Sequence, residues 1–234
     1  MTSTEKTVLV VAAHPDDEIL GCGGTIAYHA RRKEAVHVVI LGEGVTSRDD
    51  HRDRDANSEK LSTLGEAAQR AGAILGVRST TLHGFPDNRM DSIDLLDMVK
   101  IVEGFIERFR PDIVYTHHRG DLNIDHRLVH DAVVTACRPL PRNHQVTTLL
   151  FFEVASSTEW QPPGSGVPFQ PNWFVDITDT LELKLAALKE YSSEMCPWPH
   201  ARSLEAVEHL AHWRGTSIGV AAAEAFMLGR NMML

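Results

Sequence analysis

Short apolar runs alternate with amphipathic segments over the first two thirds of the chain. The runs are typical of buried strands, and the segments between them carry apolar residues at helical spacing. We predict strands at residues 8–13, 36–41, 80–83, 113–116 and 148–154. We predict helices at about 19–33, in a long segment ending near Gly76, at about 93–109 and at 125–137.

This alternation predicts an α/β fold with a Rossmann-like, largely parallel sheet flanked by helices. We expect a single domain over residues 1–234, with an α/β core at 1–155 and an elaborated C-terminal lobe at 156–234. Residues 156–172 are rich in Pro, Gly and Ser, which favours a long surface excursion that could form a substrate rim. Helices are predicted at 178–191 and 203–214.

Polar loops follow the predicted strands of the core. In open parallel sheets the loops at the carboxyl ends of the strands surround one crevice. We therefore expect the loops at 13–18, 42–48, 84–89 and 117–125 to converge on a common site.

Composition and charge narrow the class of function. The chain is 43% hydrophobic and 24% charged, with a net charge of -9, which argues against a nucleic-acid partner. Its 3 cysteines, Cys22, Cys137 and Cys196, are widely spaced and predict no disulfide framework. The first apolar run is too short for a signal peptide or a membrane span, so we expect a cytoplasmic protein.

The strongest local signal is Ala13-His14-Pro15-Asp16-Asp17-Glu18, where the first strand ends and a helix is about to begin. Asp and Glu residues suit helix N-termini, so the three carboxylates taken singly also fit a capping role. Capping does not account for His14, nor for two adjacent carboxylates in one tight turn. A divalent cation bound here explains both.

A catalytic zinc site takes three protein ligands and leaves a position for water. The best distant donors follow the strand at 113–116, where His126 lies at a predicted helix start and His130 one turn later. Residues four apart share a helix face, so either histidine or both could bind the metal. His130 is also typical of a partly buried polar residue on an amphipathic helix.

These segments resemble the PIG-L/LmbE-like family of zinc-dependent N-acetylglucosaminyl deacetylases. The resemblance is carried by the motif at 13–18, by Gly21-Cys22-Gly23-Gly24-Thr25 and by Asp125-His126-Arg127. Residues 84–88, 110–117 and 223–226 are also similar to this family, so the likeness covers nearly the whole chain.

The resemblance implies that His14, Asp17 and His126 bind zinc and that Asp16 is the general base. A site of two histidines and one aspartate also accepts Fe²⁺ or another divalent ion. Many relatives have a histidine where this chain has Asn123, and an asparagine cannot transfer a proton. We expect Asp16 to serve as both base and acid, with His118 or His200 as the alternative acid.

Polar side chains of these loops and of the C-terminal lobe are candidate substrate contacts. They are Arg48, Asp87, Asn88, Arg89, His118, Asn123 and Arg202. Asp87 and Asn88 also fit a simple turn after Pro86, and Arg48 lies in a run of charges typical of a solvated surface.

The sequence thus favours hydrolysis of the acetamide of a small N-acetylated sugar or sugar conjugate. The same metal centre would serve an amidase acting on a thiol conjugate or another non-sugar amide. A non-catalytic glycan- or metal-binding protein would not need Asp16. A nucleotide-binding enzyme would need a glycine-rich loop directly after the first strand, where this chain has 14–18. A homo-oligomer is compatible with the sequence, which does not specify an oligomeric state.

Overall fold

The structure, a computed structural model, describes residues 6–141 and 144–233. Its centre is one twisted sheet. The strands are β1 (Thr7–Ala12), β2 (Ala35–Gly42), β3 (Ser79–Phe85), β4 (Ile113–His117), β5 (Thr148–Phe152), β6 (Trp173–Asp176) and β7 (Ala223–Asn231). They form a seven-stranded sheet in the order β3-β2-β1-β4-β5-β7-β6.

Helices cover both faces of this sheet. They are α1 (Asp17–Arg31), α2 (Ser58–Leu75), α3 (Leu95–Phe109), α4 (Ile124–Ala136), α5 (Leu181–Glu190) and α6 (Leu204–Thr216). Short 3₁₀ turns occupy Thr46–Arg48 and Met90–Ser92. Within the described residues, no helix has the length and apolar character needed to cross a membrane.

The predicted Rossmann-like, largely parallel arrangement is confirmed. The pairings among strands β1 to β5 are all parallel, whereas β7 is antiparallel to both β5 and β6. The sequence analysis predicted only helices and loops after residue 155, and the two antiparallel strands correct that picture. β6 has only four residues, and Glu224, Gly229 and Arg230 disrupt the apolar pattern of β7.

Alternate residues of β1 face two separate parts of the core. Val8 and Val10 pack in the cluster that includes residues of α1, α2 and α5. Leu9 and Val11 pack in the cluster formed with α3 and α4. Because side chains of a strand alternate between faces, a strand buried on both sides appears as a continuous apolar run.

The glycine-rich segment 21–25 is a break in α1 rather than a phosphate-binding loop. The backbone leaves the helical conformation at Cys22, with φ -150° and ψ 25°. The amides of Gly24 and Thr25 donate to the carboxylate of Glu224 at 3.0 and 2.7 Å. The ammonium of Lys184 donates to the same carboxylate at 2.6 Å. The break is therefore capped by a buried ion pair supplied by β7 and α5.

Removing one partner of this ion pair should destabilise the fold strongly. Glu224→Ala leaves the buried Lys184 ammonium without its counter-charge and two amides without their acceptor, so we expect a loss of about 3–5 kcal/mol of unfolding free energy. The matched control is Arg70→Ala, which breaks the exposed contact between Arg70 and Glu190 and should change stability far less. Urea unfolding at fixed metal content measures both. Equal stability of the two variants would contradict this account of the helix break.

Candidate active site

The turn after β1 brings one histidine and three carboxylates into a crowded space. The amide of His14 donates to Asp17 Oδ2 at 2.8 Å, and His14 Nδ1 lies 3.3 Å from the same oxygen. Asp16, between them, has φ 108° and ψ -29°, a conformation that L residues rarely adopt. This backbone reversal separates the directions of the adjacent Asp16 and Asp17 side chains.

The second part of the site comes from the first turn of α4. Asn123 caps this helix, because its Oδ1 accepts a hydrogen bond from the Asp125 amide at 2.8 Å. His126 lies in the first turn of α4, and its Nε2 is 3.1 Å from Asp17 Oδ2. Donor atoms of His14, Asp17 and His126 all lie within 4.8 Å of one another. The three predicted ligands are therefore brought together in a group that could hold a metal ion.

Two further carboxylates orient the imidazoles. Asp125 Oδ2 lies 3.0 Å from His14 Nε2, and its Oδ1 accepts from the Met90 amide at 3.0 Å. Asp121 Oδ1 lies 3.1 Å from His126 Nδ1. A carboxylate behind each metal-binding histidine is a common arrangement, because it fixes the ring and increases its basicity.

The electrostatics of the cluster favour a cation. Burial alone would lower the pKa of His126, but Asp17 and Asp121 outweigh burial and raise it to about 9. Burial likewise opposes a charged His14, yet Asp125 and Asp17 raise its pKa well above the usual value. Burial opposes ionisation of Asp121, but the neighbouring His126 and hydrogen bonds from Ser157 and Thr158 lower its pKa to about 2. The donor set and its charge therefore fit a divalent metal ion.

A second group of potential ligands shares His14. His14, Asp87 and Asp125 also have donor atoms within 4.8 Å of one another. Their oxygens have protein partners: Asp87 Oδ2 accepts from the Ser47 amide at 3.1 Å, and both Asp125 oxygens are used as described. Asp87 and Asp125 therefore support the His14 ring on the side away from Asp17.

His130, the alternative ligand, faces elsewhere. Its Nδ1 lies 2.9 Å from the carbonyl oxygen of His117, and it is not among the residues that line the cavity above the cluster. His117 is fully buried and stacks on His126, with ring centroids 4.0 Å apart. Its Nε2 accepts from the Ala13 amide at 2.8 Å, which links the ends of β1 and β4 beneath the site.

Asp16 is buried beside the cluster and faces a different partner. Its Oδ2 accepts a hydrogen bond from Nη1 of Arg202 at 3.2 Å. Burial and the neighbouring Asp17 carboxylate raise the pKa of Asp16 well above its usual value, whereas Arg202 lowers it. A carboxylate with a raised pKa next to candidate metal ligands is suited to accepting and returning a proton.

The cluster lies at the floor of a cavity of about 190 Å³. Five of the predicted substrate contacts line this cavity: Arg48, Asp87, Asn88, Asn123 and Arg202. Two do not. His118 Nε2 is bonded to the Val167 carbonyl at 2.8 Å, and Arg89 donates to the Asp50 carbonyl at 3.3 Å.

The cavity-lining side chains are themselves connected. Arg48 donates to Glu194 at 2.6 Å, and both side chains line the cavity. Asn123 donates from Nδ2 to Asn88 Oδ1 at 2.8 Å, so both ends of its side chain have protein partners. His200, the other candidate acid, accepts from the Arg202 amide at 3.0 Å and does not line the cavity.

Several members of the site are not predicted from the sequence. Glu194 lies in an irregular segment after α5, and nothing in its sequence context indicates a site. Ser157 and Thr158 hold Asp121 from the start of the 156–172 excursion. Asp121 and Asp125 have a sequence signal, because both lie within a few residues of the candidate ligand His126.

Comparisons with known proteins identify the family. The model of the PIG-L family, described as GlcNAc-PI de-N-acetylase, matches residues 9–137, more than half of the chain. The chain is 31% identical over 194 residues to the Escherichia coli K12 protein named uncharacterized deacetylase YaiS, covering 80% of this chain and 91% of that protein. The chain therefore belongs to the PIG-L family.

Two further similarities bear on function. The chain is 27% identical over 192 residues to a probable N-acetyl-alpha-D-glucosaminyl L-malate deacetylase 2 of Bacillus anthracis, covering 81% of this chain and 82% of that protein. The structure also matches the crystal structure of GalB, the 4-carboxy-2-hydroxymuconate hydratase of Pseudomonas putida KT2440. That match has a TM-score of 0.77 at 23% identity and covers 98% of each chain. Proteins named as deacetylases and as a hydratase thus share this fold.

The ligand assignment predicts about one tightly bound divalent ion per chain. His14→Ala, Asp17→Ala and His126→Ala should each lose the ion, because each removes one of three donors. Elemental analysis of the desalted proteins measures the metal content. His130→Ala is the control and should keep the ion, since its ring bonds to a backbone carbonyl. Metal retained in His126→Ala but lost in His130→Ala would reverse the assignment.

Metal affinity should rise as the pH increases from about 6 to about 8. His126 has a pKa of about 9, so at neutral pH an incoming ion must displace a proton from it, and the proton competes less as the pH rises. Calorimetric titration between about pH 6 and about pH 8 in buffers of different ionisation enthalpy counts the released protons. Asp121→Asn, which removes a carboxylate that raises this pKa, should release fewer. Affinity independent of pH would disprove the assignment.

Proposed function

We propose that this chain is a zinc-dependent N-deacetylase that hydrolyses the acetamide of an N-acetylated sugar or sugar conjugate, with Asp16 as its general base. The observation that carries the proposal is the geometry at the cavity floor. Three potential metal ligands converge there, and Asp16 lies beside them while its carboxylate faces Arg202. Relatives named as deacetylases support the same reaction class.

The metal would be held by His14, Asp17 and His126. Two imidazole nitrogens and one carboxylate oxygen are a common ligand set for catalytic zinc, and Fe²⁺ accepts a similar set. When bound, such an ion supplies a Lewis acid that favours ionisation of water and polarises a carbonyl group. Asp121 and Asp125 would keep the two imidazole rings in their ligating orientation.

Asp16 would carry the proton transfers. In the reaction the oxygen of water adds to the acetamide carbonyl carbon, the carbon–nitrogen bond breaks, and acetate and a free amine are released. Asp16 accepts the proton that the attacking water loses and returns it to the departing nitrogen. The raised pKa of Asp16 fits both steps, in which it first accepts a proton and then returns it.

The surroundings of the other candidate acids support Asp16 as the single group that carries both proton transfers. His118 is bonded to the Val167 carbonyl, and neither it nor His200 lines the cavity. Asn123 has no proton to transfer, and its amide group donates to Asn88. Asp16 is therefore the best-placed group for the proton that the amine needs.

Five side chains remain as proposed substrate contacts: Arg48, Asp87, Asn88, Asn123 and Arg202. All five line the cavity, and they offer donors and acceptors suited to hydroxyl groups of a sugar. Arg89 and His118 lie outside this lining, so the proposal does not depend on them. The proposed substrate of the chain is a small molecule.

Two other reactions are alternatives on the same centre. An amidase for thiol conjugates would differ only in the part of the substrate beyond the amide. The likeness to a hydratase makes addition of water to a carbon–carbon double bond the second alternative, and that reaction would release neither acetate nor amine. A non-catalytic binding protein would retain the metal and release no product.

The decisive experiment is a screen for acetate release from N-acetylated sugars and their conjugates. The protein should carry one equivalent of zinc or of Fe²⁺, with unsaturated carboxylic acids as hydration substrates in a parallel screen. Release of acetate with an equal amount of free amine supports the proposal. Hydration without acetate release would replace it.

The proposed role of Asp16 predicts a sharp loss of turnover without loss of metal. Asp16→Asn keeps the side-chain size but removes the base, so kcat should fall by about two to four powers of ten. His118→Ala, His200→Ala and Asn123→Ala should each be milder. The pH profile of kcat provides the control: if a histidine variant matched Asp16→Asn and removed one limb of the profile, that histidine would be a separate acid.

A further inference from the structure

The backbone of Asp16 is held in a rarely occupied conformation by a neighbouring side chain. Its φ of 108° is outside the region that L residues favour. The Asp16 amide donates to Glu18 Oε2 at 3.1 Å. The Asp16 carbonyl accepts from the amides of Ile19 and Leu20 at 3.0 and 2.9 Å. Both backbone polar groups of Asp16 are therefore bonded, and one of them depends on Glu18.

Glu18 is itself fixed from the C-terminal part of the chain. Its Oε1 accepts a hydrogen bond from the hydroxyl of Tyr191, which follows α5, at 2.5 Å. Glu18 is 2% exposed and Tyr191 is fully buried. A glutamate in the first turn of a helix usually benefits from the helix dipole while it remains in water. Here both carboxylate oxygens are instead acceptors for protein donors.

The buried Glu18 has no role in the proposed reaction. Glu18 does not line the cavity, and none of the metal donor groups includes it. An N-terminal glutamate that reaches back to a preceding amide can simply stabilise the start of a helix. In this helix the preceding amide belongs to the candidate base, so the bond sets where the Asp16 carboxylate lies.

We propose that Glu18 is a positioning residue for Asp16, and that Tyr191 holds Glu18 in place. The inference rests on the proposed function, since it gives the positioned group its role as base. The hydrogen bond from the Asp16 amide to Glu18 keeps the backbone at positive φ. In that conformation the Asp16 carboxylate accepts a hydrogen bond from Arg202 while Asp16 lines the same cavity as the candidate metal ligands.

The kinetic experiment compares two substitutions of Glu18. Glu18→Gln keeps an acceptor oxygen for the Asp16 amide and an amide group opposite Tyr191, so kcat should stay within about threefold of wild type. Glu18→Ala removes the acceptor and should lower kcat by about tenfold to a hundredfold, with KM and metal content unchanged. Tyr191→Phe should cause a smaller fall in kcat.

The control for general destabilisation is Glu34→Ala. Glu34 is a partly buried carboxylate just after α1 that pairs with His29, at the opposite end of the helix from Asp16. This variant should lower thermal stability and leave kcat per metal-loaded site unchanged. Equal losses of kcat in Glu18→Gln and Glu18→Ala would overturn the inference, because they would show that the charge or proton of Glu18 matters rather than its acceptor oxygen.

Crystal structures separate this inference from the proposed function. In Glu18→Ala, Asp16 should leave the positive-φ conformation and its carboxylate should lose Arg202, whereas in Glu18→Gln both features should persist. An unchanged Asp16 in Glu18→Ala would overturn the positioning role even if the enzyme releases acetate. If wild-type protein released no acetate, the proposed reaction would fail, but the crystallographic comparison would still decide whether Glu18 holds Asp16.

Discussion

The 3.1 Å contact between Asp17 and His126 joins the carboxyl ends of β1 and β4. The two strands are parallel neighbours in the sheet, so the residues that follow them are brought to one edge. Asp121 and Asp125 lie behind the imidazoles, and both are fully buried. Buried carboxylates need compensating positive charge or hydrogen bonds. The cluster supplies hydrogen bonds to each of them, and a divalent ion would supply the charge.

The C-terminal third of the chain fixes the groups that the parallel core cannot fix alone. Arg202 pairs with the Asp16 carboxylate, Tyr191 bonds to Glu18, and Ser157 bonds to Asp121. The candidate metal donors themselves come from the parallel core. A division of this kind allows one metal centre to be kept while the surrounding segments change, because loops tolerate variation that core strands do not.

The parallel core and the grouping of its polar loops could be predicted because both depend on local patterns. Apolar runs such as 8–13 indicate buried strands, and the order of strands and helices then determines where the loops lie. Arg89 and His118 were placed with the cavity because they lie in those loops, yet each bonds to a backbone carbonyl outside it. Glu194 lines the cavity through tertiary packing of an irregular segment, for which sequence periodicity gives no signal. The strands β6 and β7 escaped prediction because one is short and the other carries buried charge at Glu224.

Proteins named as deacetylases and as a hydratase share this fold, so the fold alone does not select a reaction. Both reactions add water to an electrophilic carbon, but only the proposed amide hydrolysis must also protonate a departing nitrogen. The selecting features are therefore the proton carrier and the shape of the cavity around the leaving group. In this chain Asp16 lies beside the candidate metal ligands, and Arg48, Glu194 and Arg202 line the cavity. Since Glu194 and Arg202 come from the segment between α5 and α6, that segment should determine which group may leave.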